Sequence, residues 1–198
     1  MLTVNRQDTE HLRIMLKNNQ VINGILRRAS GLQMPSWYLG AGCIAQTVWN
    51  LKHGFDPMQN IADYDLVYFD PTDLSEGGEQ KYCAKAQSIF RELGGTIDVT
   101  NEARVHLWYE KEFGSPIQPY TSVEDAIGSR PTTATSIGTK YDESGKFALY
   151  AAFGLGDLFS MIVRANKRQV SQEVYNKKAE RWGKAWPKLT VIPWESGP

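Results

Sequence analysis

Asp63-Tyr64-Asp65 opens a run of β-formers, Leu66-Val67-Tyr68-Phe69, and this string restricts the fold more than any other part of the chain. Extended backbone sends alternate side chains to opposite faces, so carboxylates two residues apart project together, about 6–7 Å apart. Two like charges at that range repel by roughly 2–3 kcal/mol at an effective dielectric near 20. Between Asp56 and Gln80 there are seven acids (Asp56, Asp63, Asp65, Asp70, Asp73, Glu76, Glu79) and no Lys or Arg, so no neighbour in sequence offsets the repulsion. Such a strand calls for a cation from elsewhere, either a divalent ion or a basic residue distant in sequence. Mg²⁺ (or Mn²⁺) prefers oxygen donors of this kind. The bland alternative is an exposed edge strand on which the spacing means nothing.

Pro71 ends that strand, and the chain around it alternates strand and helix. Leu12, Met15, Leu16, Ile22, Ile25 and Leu26 recur at helical spacing after Asp8 and Thr9 as candidate caps. Trp37-Tyr38-Leu39 reads as a short buried strand running into Gly40-Ala41-Gly42, and Ile44, Val48 and Leu51 carry a helix from Cys43 to about His53. A further helix spans roughly Glu79 to Leu93, stopped by Gly94-Gly95. Thr96 to Thr100 is a strand with Ile97 and Val99 on one face and Asp98 on the other. Thr132 to Thr139 and Lys146 to Ala151 predict a hairpin, and Asp157 to Ala165 and Tyr175 to Trp186 predict helices. This order implies an α/β (α+β) fold. We read one domain over 1–198: an N-terminal helical segment (1–36), a core (37–151) and a basic helical C-terminal segment (152–198).

If the strands bearing Asp63, Asp65 and Asp98 are adjacent, three carboxylates converge. That is a ligand set for two metal ions in phosphoryl-type transfer. Gly40-Ala41-Gly42 supplies the complementary half. A turn between strand and helix presents backbone N–H groups and the positive helix end, and glycine lets a phosphate approach closely. Together they describe a nucleoside triphosphate site. A Rossmann reading competes, because Gly40-Ala41-Gly42-Cys43-Ile44-Ala45 fits Gly-x-Gly-x-x-Gly/Ala with acids about 20 residues on. Against it, Asp63 and Asp65 begin the second strand instead of ending it, and an NAD(P) fold has no use for a paired Asp-x-Asp.

Composition narrows the function classes. The 198 residues are 41% apolar, enough for a real core, and Lys+Arg 22 balance Asp+Glu 22, which removes the footprint of a general DNA binder. The longest apolar-rich run, Phe147 to Gly156, is about half of a membrane span. Met1 to Arg6 lacks a secretory signal core, and two cysteines, Cys43 and Cys83, make no disulfide framework, so a cytoplasmic protein is expected. Cys43 is either a thiol of lowered pKa at a helix start or a small buried packer. From Arg164 to Lys188 eight basic residues face Glu173 and Glu180, interleaved with Tyr175, Trp182 and Trp186. This tail either tracks a nucleic acid with rings for stacking or packs its aromatics inward beneath solvated lysines, and the packing reading is the simpler.

Leu39-Gly40-Ala41-Gly42 with Asp63-Tyr64-Asp65-Leu66 resembles the signature of the DNA polymerase β-like nucleotidyltransferase superfamily. The whole chain resembles a family of small bacterial nucleotidyltransferases in Asn101-Glu102-Ala103-Arg104-Val105-His106-Leu107-Trp108-Tyr109, Pro131-Thr132-Thr133-Ala134-Thr135, Phe153-Gly154-Leu155-Gly156-Asp157-Leu158-Phe159 and Arg181-Trp182 with Trp186-Pro187. The resemblance implies a mixed sheet flanked by helices. It implies transfer of a nucleoside monophosphate from an NTP such as ATP to an acceptor hydroxyl, with pyrophosphate leaving. Asp63 and Asp65 would bind metal, Asp98 would complete the site and help deprotonate the acceptor, and Gly40 and Gly42 would hold phosphates. The superfamily turn commonly has Gly-Gly or Gly-Ser, so Gly40-Ala41-Gly42 implies backbone contacts only.

Arg104 is a candidate for neutralising the triphosphate, with His106 beside it if the strand continues; if a helix begins at Glu102 the pairing fails and Arg104 is a surface charge. Asp157 and Arg164 either share a functional helix face or form a structural ion pair. The acceptor is open: a small molecule, a protein or an RNA such as tRNA. A catalytically silent nucleotide-binding or antitoxin-like protein on the same fold is the alternative function, with the Rossmann reading behind it.

Overall fold

The computed structural model describes residues 4–196. The strands of the main sheet are β1 (Tyr38–Gly40), β2 (Asp63–Tyr68), β3 (Thr96–Asn101), β4 (Ile137–Tyr141) and β5 (Phe147–Ala151), in the order β3-β2-β1-β4-β5. β2 and β3 are parallel, while β1 is antiparallel to both β2 and β4, and β4 to β5. The helices are α1 (Arg6–Leu16), α2 (Gln20–Arg28), α3 (Gly42–His53), α4 (Glu76–Phe90), α5 (Tyr109–Phe113), α6 (Val123–Ile127), α7 (Gly156–Phe159) and α8 (Gln172–Ala185). A small parallel pair, β6 (Ile162–Val163) with β7 (Thr190–Val191), ties the C-terminal segment together. The α/β expectation holds. The Rossmann alternative does not, because the strands on either side of α3 are antiparallel and α3 is no crossover between parallel neighbours.

The two faces of the sheet differ. On one, Leu39, Tyr64, Leu66, Tyr68 and Val99 join the main core with Leu12, Leu16, Ile22, Ile25, Ile44 and Val48 from the helices. On the other, Tyr38 and Val67 form a small cluster with Val123 and Ile127 of α6. Gly138 permits that seat: a Cβ there would meet Ile127 Cδ1 at 2.7 Å and Tyr38 Cβ at 3.0 Å. The cluster covers only the Val67 end of β2 and leaves the Asp63-Asp65 end clear of α6.

α8 docks on α3 through tryptophans. Tyr175, Ala179 and Trp182 form its buried stripe, spaced by four and three residues. Trp182 and Trp186 meet the fully buried Trp49 edge-on, at centroid distances of 5.4 and 5.5 Å. Trp186 Nε1 also donates to Asn50 Oδ1 at 2.6 Å. The aromatics of the basic tail are therefore core, in line with the packing reading.

Several local expectations need correction. The single N-terminal helix is two, broken at Asn19, whose buried side chain accepts from Val21 and Ile22 N–H and donates to Thr47 Oγ1 and the Pro57 carbonyl. The cap of α1 is Asn5, not Asp8 or Thr9. α4 begins three residues before Glu79, capped by Ser75. Residues 133–135 form a 3₁₀ turn, so β4 starts only at Ile137. The helix expected over 157–165 lasts four residues: Met161 turns the chain at φ 54°, and pairing with β7 makes the next residues a strand.

Candidate active site

β2 delivers Asp63 and Asp65 to the face away from the main core, since the intervening Tyr64 is buried in that core. Two neighbouring strands bring their own groups to Asp65. Gly40 of β1 lies opposite it in the antiparallel register, and Asp98 of β3 lies opposite it in the parallel register. Burial pushes the Asp65 carboxyl above the usual carboxylate range; Arg130 pulls it down, and Asp63 and Asp98 push it up again. Asp63 and Asp98 thus both act on Asp65 through space. Asp98 is nevertheless exposed and does not line the cleft, and among the described residues no group of three or more His, Cys, Asp or Glu side chains is gathered closely enough to hold a metal.

Asp63 and Asp65 line a cleft of about 350 Å³, within the range of ligand sites. Ala41 and Gly42 form part of its wall. Ala41 carries φ 116° and ψ −87°, a backbone region that suits glycine, whereas neither flanking glycine has a positive φ. Such a residue stores roughly 1–3 kcal/mol of strain. A Cβ on Gly40 would find protein no nearer than 3.8 Å, and one on Gly42 would meet Gln46 Nε2 at 3.4 Å. The protein's own packing therefore makes little demand for glycine at these two positions. At Gly42 the missing side chain leaves access from the cleft to the backbone, at the start of a helix that no side chain caps among the described residues, whereas Gly40 is buried and does not line the cleft. Cys43 follows as a buried packer: its thiol donates to the Gly40 carbonyl at 3.2 Å, and burial, with Asp65 and Asp63 nearby, pushes its pKa well up.

The cations of the cleft come from far along the chain. Arg130 pairs with buried Glu102 at 2.5 Å, and its Nε is buried without a hydrogen-bond partner among the described residues. α8 adds Lys178 and Arg181, which no carboxylate engages in an ion pair among the described residues; Lys178 Nζ lies 5.9 Å from the Trp182 ring centroid. Burial lowers the Lys178 pKa, as do Arg181 and Arg130, while Asp63 and Asp65 oppose them. Sequence reasoning singled out none of Arg130, Glu102 and Lys178 for the site. The signals were the basic run containing Lys178, the resemblance string containing Glu102, and the one beginning at Pro131, one residue after Arg130.

Arg104 is not brought to the cleft. A 3₁₀ helix over Glu102–Leu107 replaces the extended strand, so Arg104 and His106 do not share a strand face. The Arg104 guanidinium binds Glu79 and donates to the Leu74 carbonyl at 2.9 Å. Asn101 fixes the same corner by donating to the Asp70 and Asp73 carbonyls at 2.9 and 3.1 Å. Asp157 and Arg164 form an ion pair at 2.9 Å and line no part of the cleft, in line with the structural reading.

A family model described as nucleotidyltransferase matches residues 27–191. The chain belongs to the nucleotidyltransferase family. Among solved structures it is similar to a protein described as revealing "a CCA-adding enzyme head domain", with a TM-score of 0.75 and 24% identity, covering 97% of this chain and 98% of that one. Two longer chains align less well: a tRNA-processing enzyme at TM-score 0.46 and 16% identity, and the Thermotoga maritima CCA-adding enzyme bound to tRNA at 0.43 and 12%. This nucleotidyltransferase spans 96% of its own length in both alignments but only 45% and 40% of theirs. No curated protein matches it in sequence. The mixed sheet flanked by helices is the fold of such a head domain.

Proposed function

We propose that this nucleotidyltransferase moves a nucleoside monophosphate from an NTP to an acceptor hydroxyl, using Mg²⁺ or Mn²⁺ held by Asp63 and Asp65. The observation that carries the reading is the meeting of both charge signs in one cleft: two carboxylates on one face of β2, with Lys178 and Arg181 on the wall, and none of the four in an ion pair among the described residues. A metal-NTP complex supplies both missing partners, a divalent ion for the acids and a polyphosphate for the bases. The carboxylate pair fits a divalent cation by donor type, by its shared face of β2 and, among the described residues, by the lack of an ion-paired partner. When bound, the ion supplies charge neutralisation at the transferring phosphorus and polarises the oxygens around it.

The chain's own residues do the rest. Backbone N–H groups at Ala41, Gly42 and the first turn of α3 hold phosphate oxygens, favoured by the positive end of the helix. Lys178 and Arg181 neutralise the β- and γ-phosphates and stabilise departing pyrophosphate. Arg130, fixed by Glu102, offers its remaining donors to the transferred group. Asp98, in register with Asp65, is our candidate for receiving the acceptor's proton. Arg104 has no part in this scheme.

The test is label transfer. With Mg²⁺ or Mn²⁺, label from the α-phosphate of an NTP should appear on the acceptor when fractions of RNA, protein and small molecules are screened, and γ-label should leave as pyrophosphate. Transfer of the γ-label would contradict the proposal.

A further inference from the structure

Among the described residues seven large apolar side chains are exposed, and three of them, Leu107, Trp108 and Phe113, fall within seven consecutive positions. This segment follows β3 and includes α5. Its rings meet in succession: Trp108 and Tyr109 have centroids 6.5 Å apart at 32°, and Tyr109 and Phe113 are 4.5 Å apart at 39°. Trp108, Tyr109 and Phe113 all line the cleft that contains Asp63 and Asp65. Core packing does not account for them. Trp49, Trp182 and Trp186 are buried, whereas Trp108 keeps 38% and Phe113 50% of its surface in water.

We propose that this aromatic array stacks the base of the incoming nucleoside triphosphate, with Trp108 as the principal ring; the proposal rests on the nucleotidyltransferase reading of the cleft. The distribution of charge selects a base over a stretch of nucleic-acid backbone. Glu110 and Glu112 flank the rings against a single Lys111, so a run of phosphates would meet net negative charge. The cations of the cleft lie on other elements, Arg130 after α6 and Lys178 and Arg181 on α8. The rings of 108–113 and these cations thus reach one cleft from different elements, a division of labour that a base linked to a triphosphate can use. Every base has a π-face, so a ring platform tolerates all four and favours the larger purines.

The experiment compares ATP, GTP, CTP and UTP with inorganic tripolyphosphate, which has no base, all with MgCl₂. Calorimetry gives affinity and tryptophan fluorescence gives the stacking signature. In the wild type, ATP and GTP should bind more tightly than CTP and UTP and quench fluorescence. Trp108→Ala should weaken ATP about 5- to 150-fold and leave tripolyphosphate unchanged. Trp108→Phe, which keeps a ring, should retain ATP affinity within a few-fold and lose the quench. Equal weakening of ATP and tripolyphosphate in Trp108→Ala, or no weakening of either, would overturn the stacking role while leaving the nucleotide site standing. Absence of ATP binding in the wild type, or ATP binding indifferent to Asp63→Asn/Asp65→Asn, would instead overturn the reading beneath it.

Discussion

The two faces of β2 are made from alternate residues of one six-residue strand, yet they follow opposite rules. Tyr64, Leu66 and Tyr68 enter a core where each apolar group finds apolar neighbours. Asp63 and Asp65 face a cleft where like charges lie together and Asp65 is half-buried at a cost to its ionised form. The first face is satisfied by apolar packing; on the second, Arg130 and Lys178 act on Asp65 through space, and neither acid forms an ion pair among the described residues. Such a conflict between local rules and a stable fold is expected at functional sites. The same contrast recurs on α8, where Tyr175, Ala179 and Trp182 are core while Lys178 and Arg181 line the cleft without an ion-paired carboxylate among the described residues.

Substitutions on the two faces should part company in what they damage. The largest effect is expected on the cleft face: Asp63→Asn or Asp65→Asn should lower label transfer by at least about 10²–10³-fold, a loss typical for a charge-stabilising group. Metal-free unfolding midpoints should stay level or rise, most clearly for Asp65→Asn, because burial disfavours the charge removed. A drop of several degrees would show that the acids hold the fold and would break the comparison.

On the core face, Trp49→Ala should cost about 3–5 kcal/mol, read as a lower denaturant midpoint, since it removes the ring that Trp182 and Trp186 pack against. Because α8 also carries Lys178 and Arg181 into the cleft, loosening it should weaken nucleotide binding as well, but less than the loss of the Asp63-Asp65 pair. Asn19→Ala should cost about 1–3 kcal/mol in the same measurement, from a lost helix cap and buried hydrogen bonds. The smallest effect is expected at the turn between the faces. Ala41→Gly should relieve positive-φ strain and stabilise by about 1 kcal/mol, net of glycine's entropy, raising Tm by roughly 2–4 °C.

What the sequence revealed follows the same division. The β2 strand and its paired acids were legible because alternation is a local pattern with a single geometric meaning. The Gly40-Ala41-Gly42 turn was legible as a junction, although the positive φ on Ala41 was not, since no residue there signals it. The break at Asn19 was hidden because apolar spacing continues across it, and only contacts to Thr47 and Pro57 show that Asn19 stops one helix and starts the next. The helix expected from Asp157 failed because pairing with Thr190–Val191, far along the chain, outweighed local propensity. Arg130 was invisible for a related reason: its partner Glu102 is 28 residues away. Arg104 was misplaced because the turn after β3 brings it to Glu79.

The central claim is that Asp63 and Asp65 make a metal-dependent NTP site, and thermal unfolding with each NTP, with and without Mg²⁺ or Mn²⁺, tests it most directly. A ligand at about 100 times its dissociation constant adds roughly 2.7 kcal/mol, a rise of several degrees for a chain of this size. The account predicts a rise that needs both NTP and metal and is absent in Asp63→Asn/Asp65→Asn. An equal rise in wild type and double variant, or one that ignores the metal, would contradict it.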